Sequence, residues 1–157
     1  VRLPELKDEY TVSMWYWNGM PNEGRGTAGW LMSRDANHGL GSRGDHLGIG
    51  GTATTPGKLI FQHGDGTKDQ SLVGKTTIDR WTWNQVVLVR QRDKVSVYLN
   101  GNPEFEIQRS SIASAPLNLS QYFFGGRSDN SDNWEGRLDE IAVFDRALSV
   151  EELGRLK

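Results

Sequence analysis

This chain predicts an all-β fold: a two-sheet antiparallel β-sandwich of the jelly-roll type, closed by a short C-terminal helix. Three observations carry that reading. Val95, Val97 and Leu99 alternate with Ser96, Tyr98 and Asn100, the period-2 pattern of a half-buried strand. Roughly ten such short runs follow one another with turn residues between them, the spacing of a sandwich and not of βαβ units. Nineteen glycines and six tryptophans in a chain only 36% hydrophobic favour turns and short strands over long helices.

The stretch from Trp81 to Ile107 organises the rest. Val86–Val89 is apolar on both faces and belongs in the middle of a sheet. Asp93-Lys94 breaks the run, Val95–Leu99 returns, and Asn100-Gly101 closes a hairpin, since a type I′ turn needs positive φ at both central residues. Phe105–Ile107 then completes a three-strand meander. Upstream, Tyr10–Trp17 is a strand rich in aromatic and β-branched residues. Its alternation sets Tyr10, Val12, Met14 and Tyr16 on one face and Thr11, Ser13, Trp15 and Trp17 on the other. Residues 18–29 form a long loop. Trp30–Arg34, Leu47–Ile49, Leu59–His63 and Ser71–Ile78 are further strands, with a turn at Gly64-Asp65-Gly66. Downstream, 108–121 reads as loop, Tyr122–Gly125 as strand, 126–135 as a loop rich in Asp, Asn and Ser, and Leu138–Phe144 as the last strand. Ser149 and Glu152 have the spacing of a capping box, so a short helix follows.

At 157 residues the whole chain, 1–157, reads as one domain, excised from a larger protein because it opens on Val1. A net charge of −2 offers no footprint for nucleic acid. There is no cysteine, so neither a disulfide framework nor thiol chemistry is available. No apolar run approaches the ~20 residues of a membrane span, so membrane insertion is not expected.

Three segments also resemble the laminin-G-like, concanavalin A-like sandwich family. They are Tyr10-Thr-Val-Ser-Met-Trp15, then Trp83-Asn-Gln-Val-Val-Leu-Val89 with Val97-Tyr-Leu-Asn-Gly101, and the ending from Gly136 through Asp139-Glu140 to Leu148-Ser-Val-Glu-Glu-Leu153. The resemblance implies two sheets, one of them concave. It also implies a non-catalytic module of a secreted or cell-surface protein that binds glycans or other proteins, often with calcium.

Catalysis has weak support in the residues. Glu104 and Glu106 share a face of a strand, as an acid and a nucleophile of a glycosidase would, but a third carboxylate is missing and a hairpin end is normally solvated. His38, His46 and His63 have neither helical spacing nor a cysteine partner, and read as loop or strand-end residues instead of zinc ligands. Calcium has better support, because Ser128–Asn133 clusters the hard oxygens it requires. Asp129 and Asp132 are its candidate ligands. An EF-hand is excluded, because Trp134 stands at the sixth position where glycine is needed. Asp139, between Leu138 and an otherwise apolar run, is expected to be buried and paired with Arg137, Arg146, backbone N–H groups or a metal.

Sugar rings stack their C–H faces on aromatic side chains while amides, carboxylates and arginines bond the hydroxyls. Trp134 with Arg127, Asp129, Asn130 and Asn133 is therefore the expected carbohydrate site, with Trp17 a further candidate. Trp15, Trp81 and Trp83 are expected in the core, where each would bury a large apolar area. The expected function is non-catalytic carbohydrate binding outside the cell. The alternative is an adhesion module for another protein, and a glycan-active hydrolase or lyase comes third.

Overall fold

Tyr10, Val12, Met14 and Tyr16 are all fully buried, so the first strand presents the face that its alternation marked as apolar. The computed structural model describes residues 6–113 and 121–156. Among the described residues ten strands run in order: β1 (Glu9–Asn18), β2 (Thr27–Arg34), β3 (Asp45–Gly50), β4 (Lys58–Gly64), β5 (Asp69–Thr77), β6 (Trp83–Gln91), β7 (Lys94–Leu99), β8 (Ile107–Arg109), β9 (Tyr122–Phe124) and β10 (Gly136–Phe144). One helix, α1 (Val150–Leu153), follows. The strands form two five-stranded sheets, β10-β1-β6-β7-β8 and β5-β4-β3-β2-β9. Every strand pair is antiparallel.

β6 lies at the centre of its sheet, as its two apolar faces require. Val86 and Leu88 point between the sheets, while Val87 and Val89 point outward under the C-terminal segment. The meander is present with one shift. Asn100 and Gly101 take φ of 53° and 70°, and the Asn102 N–H returns to the Leu99 carbonyl at 3.0 Å. The third strand, however, starts at Ile107 and not at Phe105, because Asn102–Glu106 goes on as loop before pairing resumes. β2 starts three residues earlier than expected, at Thr27, where it pairs with Gly50. Of the expected loop 108–121, residues 108–109 belong to β8, and 114–120 lie outside the described residues.

Between the sheets lies a core of aliphatic and aromatic side chains from both layers, including Leu47, Phe61, Leu88 and Val97. It also holds two arginines. Arg90 of β6 bonds Asp45 of β3 at 2.7 Å, with both side chains at most 1% exposed. Arg34 donates to the Leu6 and Lys7 carbonyls and stacks over Tyr10. A smaller apolar cluster lies on the outer side of the first sheet, where Leu148 and Leu153 cover Val87, Val89 and Tyr98. The capping box is formed in full by Ser149 and Glu152. Arg146 adds a two-pronged bond to the Glu152 carboxylate, at 3.0 and 2.6 Å.

Candidate functional site

The C-terminal segment covers only part of the outer face of the β10-β1-β6 sheet. It is pinned there by Thr11, whose hydroxyl donates to the Arg146 carbonyl and accepts from the Leu148 N–H, and by Gln85, which donates to the Leu156 carbonyl at 2.9 Å. Beyond the helix, Trp83, Asp139 and Glu140 are exposed among the described residues. Register places Trp17 opposite Trp83 and Arg137, and Trp15 opposite Gln85 and Asp139. A cleft of about 570 Å³ opens along the helix edge, lined by Trp15, Trp83, Gln85, Asn100 and Leu156. A second hollow adjoins it, between Trp15, Trp83, Asp139 and Glu140.

Trp83 is 42% exposed and Trp81 63% exposed, and Trp15 is half-buried. The expectation that these three fill the core is therefore corrected. Trp15 and Trp83 follow the alternation of strands whose other face is already the core, so they point away from it. Trp81 precedes β6 with φ at 62° and lies under the Arg80 guanidinium.

Asp139 is exposed and not buried, and of its expected partners it meets a backbone N–H, that of Glu140 at 2.8 Å. The reason is a bulge. Ser13 pairs with Ala142 and Trp15 with Asp139, so Glu140 and Ile141 together oppose Met14 alone. Glu140 takes φ of 48° there. In regular alternation successive residues face opposite ways; the bulge instead brings the consecutive carboxylates of Asp139 and Glu140 to the rim of one hollow. Neither expected arginine partner meets Asp139. Arg137 lies over Trp17, 5.3 Å from the ring centre, and Arg146 is engaged with Glu152.

The loop from Arg127 to Trp134 is built differently from its expected form. Arg127 forks onto Asp129 at 2.9 and 2.8 Å, reaches Gln62 at 3.3 Å, and lies 5.0 Å over the Trp30 ring. That fork holds the Asp129 carboxyl below its ordinary range. Asn133 donates to Asn130 at 2.7 Å, and Asp132 faces Arg25 at 3.7 Å. Trp134 packs edge-on against Tyr16 of the core, with ring centres 5.9 Å apart. Its ring fills space that Gly136 leaves open, since a Cβ there would come within 2.8 Å of Nε1. Arg127, Asp129, Asn130, Asn133 and Trp134 are thus one loop whose side chains mostly bond each other, while Trp17 stands on the other sheet. Asp139 stands on β10 beside Trp15, so it does not converge with Asp129 and Asp132.

Glu106 serves the fold. Its carboxylate accepts from the Lys75 and Thr76 N–H groups and the Thr76 hydroxyl at 2.7–2.8 Å, clasping β5 to the segment before β8. Glu104 is exposed and lies in a turn where no strand aligns it with Glu106.

Among the described residues, one group of His and carboxylate side chains could converge on a cation. Asp35, His38 and His46 hold ligand atoms within 4.8 Å of one another. The residues come from the end of β2, the following loop and β3, a juxtaposition that spacing along the chain does not announce. Gly44 permits it, because a Cβ at this position would meet the Arg34 carbonyl at 2.7 Å.

The chain belongs to the concanavalin A-like lectin/glucanases superfamily, whose laminin-G-type family model matches residues 2–154. No curated protein matches it in sequence. Among solved structures it is similar to the CBM40 of Ruminococcus gnavus IT-sialidase bound to α2,3-sialyllactose, with a TM-score of 0.72 and 18% identity over 97% of this chain and 84% of that one. It is also similar to domain 4 of AbnA, an extracellular GH43 arabinanase from Geobacillus stearothermophilus in complex with arabinotriose, with a TM-score of 0.70 and 15% identity over 96% and 67%. A third is a SAP-like pentraxin from Limulus polyphemus, with a TM-score of 0.63 and 14% identity over 94% and 69%. Likeness at this level of identity establishes the fold. Among the described residues no helix is long and apolar enough to cross a membrane.

Proposed function

We propose that this domain is a non-catalytic carbohydrate-binding module of a larger secreted or cell-surface protein, and that the glycan lies across Trp15 and Trp83. One observation carries the reading. Two accessible indoles stand on neighbouring, hydrogen-bonded strands, with an open cleft on one side and two carboxylates on the other. Strands hold such a platform more rigidly than a loop does, which lowers the ordering cost of binding. The ring faces can stack on sugar C–H groups, and Asp139 and Glu140 can accept bonds from sugar hydroxyls. The strained φ of Glu140 supports the same place, since backbone strain gathers at functional sites.

That two structural relatives carry bound oligosaccharides supports the ligand class. The rim charge narrows it. Two carboxylates beside the indoles repel an acidic sugar, so neutral or amino sugars are the class this cleft takes. No turnover is proposed: Glu106 has both oxygens engaged, and Asp139 and Glu140 stand at an open edge with nothing to exclude water from a reacting centre.

The test is a glycan array read with the wild-type domain and with Trp83→Ala, with and without calcium. Binding to neutral or amino-sugar glycans that the variant loses supports the reading. Glycan binding retained by a folded variant moves the site elsewhere, with the Arg127 loop next in line, and an array without signal leaves the protein-adhesion reading in its place.

A further inference from the structure

We infer that Asp35, His38 and His46 form a binding site for a divalent transition metal of the zinc type, on the opposite sheet from the glycan cleft. His46 carries the argument. Its neighbours Leu47 and Phe61 face the core, so alternation turns His46 and its cross-strand partner Gln62 to the outer side of β3 and β4. There it is only 1% exposed, closed over by the 35–44 loop and the Arg127 loop. Neither of its ring nitrogens has a hydrogen-bond partner among the described residues. A buried imidazole with both nitrogens unsatisfied runs against the rule that such groups are bonded. Ser33, opposite His46 in the β2–β3 pairing, likewise has a buried, unpartnered hydroxyl, and one oxygen of Asp35 is in the same condition.

The other members are arranged around that ring. His38 packs edge-on to His46 with ring centres 4.9 Å apart, and its Nδ1 lies 3.4 Å from Asp35 Oδ2. The Nε2 of His46 lies on the side of Gly44 and Asp35. Ser128 orients the set from outside: its hydroxyl donates to Asp35 Oδ2 at 2.8 Å and accepts the His38 N–H at 2.9 Å. Outer-shell bonds of this kind fix the direction of metal ligands. Tetrahedral ligands at about 2.0–2.1 Å from one ion lie about 3.4 Å apart. His38 Nδ1 and Asp35 Oδ2 already stand at that spacing, and all three ligand atoms lie within 4.8 Å of one another.

The chemistry of the donors selects the ion. His46 is buried among the described residues with both ring nitrogens unbonded, so one of them has a lone pair to give. Two imidazoles and one carboxylate suit zinc and its neighbours in the first transition row. Calcium, which takes six to eight oxygens, is poorly served by the same set. Asp129, on the neighbouring Arg127 loop, is paired with Arg127. Three protein ligands leave one tetrahedral position for water.

The experiment uses the domain freed of any affinity tag and stripped with EDTA, titrated with ZnCl2 in a calorimeter and followed by thermal melting. One equivalent of zinc should bind and raise the melting temperature, EDTA should reverse the shift, and CaCl2 at the same concentration should produce none. His46→Ala can fail to fold, so the deciding variant is His38→Ala, whose side chain is largely buried against His46 but belongs to neither apolar cluster of the fold. It should melt like the metal-free wild type and bind zinc at least tenfold more weakly, while Asp35→Asn should also weaken binding. Three results overturn the proposal: no zinc-dependent heat or melting shift in the wild type, zinc affinity undiminished in His38→Ala, or a shift given by calcium and not by zinc.

Discussion

Arg90 and Asp45 meet at 2.7 Å between the two sheets, and Tyr10 donates its hydroxyl to the other Asp45 oxygen. Arg90 is satisfied further by the carbonyls of Arg92 and Ala113. The pair therefore ties β6 to β3 through the core. Removing one partner would leave a buried charge without compensation, so Asp45→Ala should destabilise the domain by about 3–5 kcal/mol. Tyr10→Phe leaves the ion pair intact and should cost about 1.5–3 kcal/mol, the worth of a hydrogen bond to a charged acceptor. Urea denaturation of the two variants checks both the values and their order.

The helix cap predicts a smaller effect at a distance from the core. The Ser149 hydroxyl accepts the Glu152 N–H, and Glu152 accepts the Ser149 N–H at 2.9 Å as well as the Arg146 fork. Ser149→Ala should cost about 1 kcal/mol, as loss of an N-cap does. Because Leu153 covers the outer face of the β6–β7 pair, amide exchange should quicken in Val150–Leu153 without change in β3 or β4. Uniform quickening in both sheets would show that the helix is part of the core unit.

Glu106 predicts a pH dependence. Burial alone would raise its carboxyl, but bonds from Thr76 and Lys75 outweigh that and hold it below the ordinary glutamate value. A carboxyl depressed by folding contributes stability that is present above the unfolded pKa, about 4.3, and is lost as pH falls through the lower folded value. In Glu106→Gln the amide would set a donor against the Lys75 and Thr76 N–H groups. The wild type should thus melt higher than the variant at pH 7, with the gap narrowing as the pH falls below about 4. A gap that stays constant down to pH 3 would mean that the clasp acts by shape alone.

These contacts mark where the sequence stopped being legible. Local pattern sufficed for β1, the Asn100-Gly101 turn and the capping box, because alternation, left-handed φ and a three-residue spacing are properties of neighbouring residues. Alternation also separated Trp15 from Tyr16. It could not say which face would be covered, and the C-terminal segment, which bonds Thr11 and Gln85 but leaves Trp83 exposed, decided that. Asp139 was misplaced because the bulge at Glu140–Ile141 breaks the alternation that would have set it on the core-facing side with Val143. Asp35, His38 and His46 were invisible as a group because they meet across the β2–β3 pairing, and Arg90 and Asp45 because they meet between the two sheets; only the folded topology supplies either juxtaposition.

The cleft gives the last prediction, and it separates binding from stability. Trp83 is accessible and touches the hollow beside Asp139, so Trp83→Ala should weaken a bound oligosaccharide by roughly 1–3 kcal/mol, on the scale of ring stacking against aromatics. Its unfolding midpoint should move little, because surface substitutions away from caps and core are usually within about 0.5 kcal/mol. Asp139→Asn should also leave stability unchanged within that range, where a buried and paired carboxylate would have cost several times more. Its effect on binding depends on the sugar. Neutral sugars lose one charged acceptor and should bind more weakly, an amino sugar should lose more, and an acidic sugar should gain as repulsion falls. Calorimetric titration of wild type and Asp139→Asn against a matched neutral, amino and acidic series measures all three. Equal losses across the series would assign Asp139 a hydrogen bond alone, and no change in any would place the reducing and non-reducing ends of the ligand clear of this rim.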